Sequence, residues 1–473
     1  MTSQRDLDRM LGDFFVPGTN ELADRVIDAA LTEIEHMEQR RPIWAPRWHA
    51  RTGFSTRFAV AAIIGVIAVS GALLALRPSQ PSIGAPSTSP GATPSQATHA
   101  STSPVAGTWT ATGSMSNPRG GQPTATRLLD GRVLVAGGFS RGYNVGANVT
   151  AELYDLATGS WTRAAAMDRQ RGAGHTATLL TDGRVLVLGG EHGAEGSAEI
   201  YDPVSGAWTA VARMLAARSG QTATLLPDGR VLVAGGTETP SGNQAPGLAE
   251  VSLASAELFD PVTGSWAAAM PMSVDRAGHS ATLLPDGRVL VAGGASFVLG
   301  ADATRALDSA ELYDPATGSW KMVGRMTTPR GGHLAILLPG GTVMELGGYS
   351  DDGALPFAEL FDPATETWTA RPSLAIGMTT ATLLDDGRVL LTGPGDSGSP
   401  NPSWLYDPAG GSLIPTAHML EARSSGSGPY TATLLLDGSV LVAGGEGDVF
   451  DVNGNESFPG LTTAELYHPA TRP

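Results

Sequence analysis

From residue 107 on, the chain repeats one unit of about fifty residues, and the punctuation of that unit dictates most of what it can fold into. Residues 279–320 show it whole: HSATLLPDGRVLVAGG, an irregular insert, then SAELYDPATGSW. Two short runs rich in Leu and Val flank Asp286-Gly287, a dipeptide that favours a type I′ hairpin because both turn residues must accept positive φ. Gly293-Gly294 closes the second run, and a third ends at Tyr313-Asp314. Asp314 and Pro315 suit the first two positions of a type I turn, after which Trp320 opens a fourth strand. Each unit therefore predicts a four-stranded antiparallel meander.

The hairpin glycines are Gly131, Gly183, Gly229, Gly287, Gly341, Gly387 and Gly438, each followed six residues later by another glycine. Third strands end at Asp155, Asp202, Asp260, Asp314, Asp362, Asp407 and His468. Trp161, Trp208, Trp266, Trp320 and Trp368 stand six residues beyond, with Leu413 in the sixth unit. The Gly-Gly pair, the Tyr-Asp or Phe-Asp step and the spaced Trp resemble the kelch family over residues 107–473. That resemblance implies an all-β fold, a seven-bladed propeller with blades round a central channel. The seventh unit has no fourth strand of its own, whereas residues 107–115, with Trp109, form an orphan fourth strand at the start. The expectation is a composite last blade in which the N-terminal strand closes the ring and removes an open edge.

Upstream the pattern changes. Residues 58–76 are 19 uncharged, mostly apolar residues; as a helix they span roughly 28 Å, close to the ~30 Å hydrocarbon core. Arg40, Arg41, Arg47, Arg51 and Arg57 precede them and only Arg77 follows closely, which predicts a single-pass transmembrane helix over 57–77 with the N-terminus cytoplasmic and the repeats outside. The 57 residues ahead of the apolar run are too many for the n-region of a cleaved signal peptide. Within the cytosolic tail 1–56, Asn20 can cap a helix over about 20–41 that Pro42 stops. The run DRVIDAALTEIEHMEQRR resembles the cytosolic tails of certain anti-sigma-factor-like proteins, which implies a cytosolic protein partner for 20–41. Residues 78–106 hold six Pro, seven Ser and four Thr with no acid, Lys or Arg, and read as an extended linker reaching about 90 Å at most.

The formal net charge of −16 argues against nucleic acid as a partner. With no cysteine, the chain has no disulfide, thiolate metal site or thiol nucleophile. Some kelch-like propellers are copper radical oxidases, and those need a cysteine cross-linked to a tyrosine, so that activity is excluded. DPATGSW is similar to the Asp-box turn of sialidases, but its Trp comes six residues after the Asp instead of five. No nucleophile elbow, P-loop or zinc-helix motif is present.

Two series of polar residues recur with the repeat. Arg119, Arg171, Arg218, Arg276, Arg330 and Arg423 each lie four residues after a methionine, and Glu152, Glu199, Glu257, Glu311, Glu359 and Glu465 each sit in a third strand. Unit six has Met378 and Trp404 instead, having lost both cation and anion. Joint loss is the mark of buried structural salt bridges, since stranding one charge costs ~3–5 kcal/mol. His175, His279 and His333 open three first strands where other units have Pro123, Gln221, Thr379 and Tyr430, so they read as hydrogen-bonding positions, with no catalytic, cofactor-binding or metal role assigned.

All length variation falls between strands two and three, on one face of the ring. Inserts 237–255, 295–309 and 446–463 are the longest, and variable loops on a rigid scaffold are where binding resides. Asp448, Asp451 and Asn453 offer oxygen ligands for a calcium ion, though in an order unlike an EF-hand. Three functions fit: an extracellular binding module for a protein or glycan on the 2–3 loop face, a transmembrane sensor acting on a cytosolic partner such as a sigma factor, and a loop-based hydrolase or lyase.

Overall fold

The computed structural model describes residues 107–470 except 142–144, 191–195, 239–250, 298–303, 374–378, 394–399, 424–429, 448, 451–455 and 458. The helix expected over 20–41, the apolar span 58–76, the linker 78–106, Met378, Asp448, Asp451 and Asn453 lie outside the described residues. Among the described residues no helix is long and apolar enough to cross a membrane.

Seven four-stranded antiparallel sheets make up the repeats. Blade four is representative: Ser280–Leu283, Val289–Ala292, Ala310–Asp314 and Ser319–Met322 pair in that order. The first strands of successive blades contact one another right round the ring, the seventh returning to the first. The result is a seven-bladed β-propeller with the first strands innermost. In the seventh blade the fourth strand is Gly107–Ala111, which pairs with Ala464–Pro469, Trp109 standing opposite Tyr467.

The sequence explains the layering. Second strands read VLVA or close to it and are buried on both faces, because each sheet is sandwiched between two neighbours. Val289 and Val291 pack back onto Leu232 and Ala234 of blade three, while Leu290 and Ala292 pack forward onto Val343 and Phe361 of blade five. Fourth strands are outermost, and their SWTR-type pattern is exposed except for the Trp. Each Trp leans on the Tyr or Phe opposite at about 5 Å between ring centres, as in the 4.9 Å of Trp320 and Tyr313.

The hairpin turns differ from expectation. Gly131 has φ +88°, but Asp130 is not among the residues with positive φ. The loop is three residues long: Gly131 N–H donates to Leu128 O at 3.1 Å and Leu128 N–H to Arg132 O at 2.8 Å. Asp130 keeps a right-handed conformation because its Oδ1 accepts from Arg132 N–H at 3.0 Å, so a type I turn followed by a left-handed glycine replaces type I′. The 3–4 turn is also one residue longer than a simple type I turn, with Gly318 N–H donating to Asp314 O at 2.8 Å.

Candidate functional site

The two faces of the disc are unequal. One carries the 1–2 turns of all seven blades and the 3–4 turns of blades one to six, each kind uniform in length. The other carries the 2–3 inserts and the connections from each blade to the next. Five inserts begin and end in a two-stranded hairpin: Phe139–Arg141 with Val145–Ala147, Thr237–Glu238 with Val251–Ser252, Ala295–Phe297 with Thr304–Ala306, Tyr349–Ser350 with Gly353–Ala354, and Val449–Phe450 with Glu456–Ser457. Those of blades three to five are tied together. The Asp275 carboxylate accepts from the hydroxyls of Ser252 and, at 2.7 Å, Ser296, and Asp351 Oδ1 accepts from Ala306 N–H at 3.0 Å.

At the axis on this face, glycines form a collar. Gly220 N–H donates to Gly174 O at 2.9 Å, Gly278 N–H to Gly220 O at 3.1 Å, and Gly332 N–H to Gly278 O at 2.9 Å. Gln122 holds the blade-one position at φ +60° and its side-chain Oε1 accepts from Gly174 N–H at 3.1 Å. Nothing in the sequence distinguished Gln122, because the left-handed position is filled by glycine in the neighbouring copies.

Beneath the collar lie the Arg and Glu series. The six pairs are Arg119–Glu152 at 3.3 Å, Arg171–Glu199 at 2.8 Å, Arg218–Glu257 at 2.6 Å, Arg276–Glu311 at 3.1 Å, Arg330–Glu359 at 2.9 Å and Arg423–Glu465 at 2.9 Å. All are buried. Arg276 Nη1 donates to the carbonyls of Gly293 and Ser309, and Glu311 accepts from the N–H groups of Ser273 and Val274. Each pair therefore staples an interblade connection to the Gly-Gly corner. Gly293 cannot carry a side chain there, since its φ is +62° and a Cβ would come within 2.5 Å of Arg330 O. Burial pushes the Arg119 guanidinium down to about 10, with Glu152 opposing the shift, so it stays charged at neutral pH.

Blade six solves the same problem differently. Asn401 Nδ2 donates to Gly393 O at 2.8 Å, the carbonyl an arginine holds elsewhere, and to Arg423 O at 2.7 Å. A Tyr430 hydroxyl bonded to Thr392 at 2.6 Å fills the rest, and burial pushes that phenol up to about 12. Asn401 escaped notice in the sequence because it occurs in one copy only.

His175 and His279 are buried and bonded to the preceding blade, His175 Nε2 to the Thr124 hydroxyl at 3.3 Å and His279 Nε2 to that of Thr222 at 2.9 Å. Burial lowers His175 to about 4 and also holds His279 well below the ordinary value. His333 differs: its Nε2 lies 3.1 Å from Glu345 Oε2, poorly aligned for a hydrogen bond, and Glu345 Oε1 accepts from the Ser280 hydroxyl at 2.8 Å. Glu345 stands where the other second strands have Val135, Val187, Val233, Val291, Leu391 and Val442. Among the described residues no three His, Asp or Glu side chains are grouped to hold a metal ion.

Residues 173–215 and 276–327 match the kelch motif. The chain is a seven-bladed β-propeller that carries kelch motifs. No curated protein matches the sequence. Among solved structures it is similar to a fungal alcohol oxidase of the AA5 family in complex with copper, 18% identical, with a TM-score of 0.57 over 77% of this chain and 76% of that one. At that identity the likeness concerns the fold. Kelch propellers serve typically as protein-interaction modules, and most are not enzymes.

Proposed function

We propose that the kelch propeller is an extracytoplasmic binding module, anchored in a membrane by residues 58–76, that offers its 2–3 loop face to a protein or glycan ligand. The observation that carries this reading is the polarity of the disc. Gly107 pairs with Pro469, at the end of a third strand, so the chain enters on the face of the uniform 3–4 turns. The variable inserts lie on the opposite face. Entry on the uniform face keeps the linker's point of attachment off the variable face, which stays open to a ligand.

The absence of cysteine gives a clean test of the anchor. In intact cells a membrane-impermeant maleimide should label Ser95→Cys and not Ser3→Cys; equal labelling of both would end the membrane reading. For the binding face, inserts 237–255, 295–309 and 446–463 can be cut to the nine-residue spacing found between Gly190 and Glu199. In a screen against immobilised glycans and secreted proteins, a ligand held by the intact chain should be lost by the trimmed one, whose circular dichroism spectrum and cooperative melting show that the propeller still folds. Retention by both would place recognition elsewhere.

A further inference from the structure

The sector of the channel mouth between blades four and five combines features found at no other described junction. Tyr349 is the one aromatic side chain among the described residues that is largely exposed, at 66%. Its backbone is fixed by two hydrogen bonds of 2.9 Å with Gly331. Its ring edge lies over the collar glycine Gly332, 3.8 Å from where a Cβ would project. Tyr is among the side chains that most often anchor an interface, and one held on a rigid support is ordered before a partner arrives.

The polar groups around that ring are acceptors. Asp351 and Asp352 are exposed beside it, and Asp275 is half-buried in the adjoining connection. The exposed guanidinium of Arg305 is the nearby cation, while Arg276 and Arg330 are taken up by Glu311 and Glu359. Below the ring the collar N–H groups of Gly220, Gly278 and Gly332 already donate to the carbonyls of Gly174, Gly220 and Gly278. A sugar needs donors as well as acceptors; this sector offers mainly acceptors and a π face. A guanidinium group matches it, being planar, cationic and made only of donors.

We infer that Tyr349, with Asp352 and Asp351, is the docking point for an arginine side chain of a partner polypeptide. The inference rests on the 2–3 loop face being the binding face and names the chemistry it selects. Fluorescence anisotropy of a labelled hexa-arginine peptide with the full chain tests it. Tyr349→Ala should weaken binding about tenfold and Tyr349→Trp should preserve it. Asp352→Asn should weaken it about threefold, whereas Asp260→Asn, removing the same charge from the opposite face, should not. Three results would overturn the inference: no binding of the peptide, equal binding by Tyr349→Ala, or equal weakening by the two Asp→Asn variants, which would mean diffuse attraction to an acidic protein. Tyr349-dependent binding of cellohexaose without peptide binding would assign the platform to a glycan instead. Because Tyr349, Asp351 and Asp352 lie outside the trimmed inserts, these point variants test the inference with those loops intact, and its failure is distinguishable from failure of the loop experiment.

Discussion

Arg276→Met should destabilise the propeller by about 3–5 kcal/mol, the largest effect expected of a single side chain in the repeat. The change removes a buried cation and leaves the Glu311 carboxylate facing an apolar side chain. It also strands the Gly293 carbonyl, which Arg276 Nη1 holds at 2.7 Å, while Ser309 O loses its 3.0 Å bond to Arg276 and keeps the one from Gly293 N–H. Glu311→Leu should cost a similar amount, because Ser273 and Val274 then lose the acceptor for their N–H groups. In the double variant no buried charge is left alone, so the losses should not add. A coupling of about 1–3 kcal/mol is expected from a double-mutant cycle in urea. Full recovery is not expected, since the Gly293 carbonyl and two N–H groups still lack partners. Strict additivity in that cycle would show that the two side chains act independently. The deficit that remains explains why blade six, lacking the pair, has acquired Asn401 to hold Gly393 O.

This staple was legible in the sequence because it is written six times, and a change in one copy exposed the partnership. The blade count and strand order were legible for the same reason. What the sequence concealed occurs once or depends on backbone conformation. Asp130-Gly131 pointed to the wrong turn type because the Asp130 side chain, by accepting from Arg132 N–H, holds its own backbone in the right-handed region. Glu345 stands in an apolar run in one copy only, and its partner Ser280 is 65 positions away in another blade. The two-stranded hairpins over the channel mouth have too few residues for a period-two pattern and read as irregular inserts. Tyr349 was invisible as a platform because exposure is decided by neighbouring blades. Repetition thus reveals the scaffold and hides the parts that make this chain distinct.

Trp109→Ala should cost about 3–5 kcal/mol, the range for deleting a buried aromatic side chain. The indole is 6% exposed and packs among Leu384, Leu390, Leu405 and Met419 of blade six, and its ring centre lies 5.2 Å from that of Tyr467. Its Nε1–H donates to Ala417 O at 2.8 Å and to the Ser403 hydroxyl at 3.1 Å. Trp109 thereby joins three stretches far apart in sequence, and its strand is the part of blade seven that comes from the other end of the repeats. Trp161 is the fair comparison, with an Nε1–H bonded to Gly113 O at 2.7 Å and a ring 5.1 Å from Tyr154, in a blade built from contiguous chain. If residues 107–111 close the ring, Trp109→Ala should do more than lower the urea midpoint. Hydrogen exchange should quicken along Ala464–Pro469, whose outer edge loses its partner, while Trp161→Ala leaves that strand protected. Removing residues 107–111 altogether should expose that edge and promote aggregation. Equal protection of Ala464–Pro469 in both single variants, together with a monomeric deletion variant of unchanged midpoint, would mean that the N-terminal strand decorates the ring without closing it.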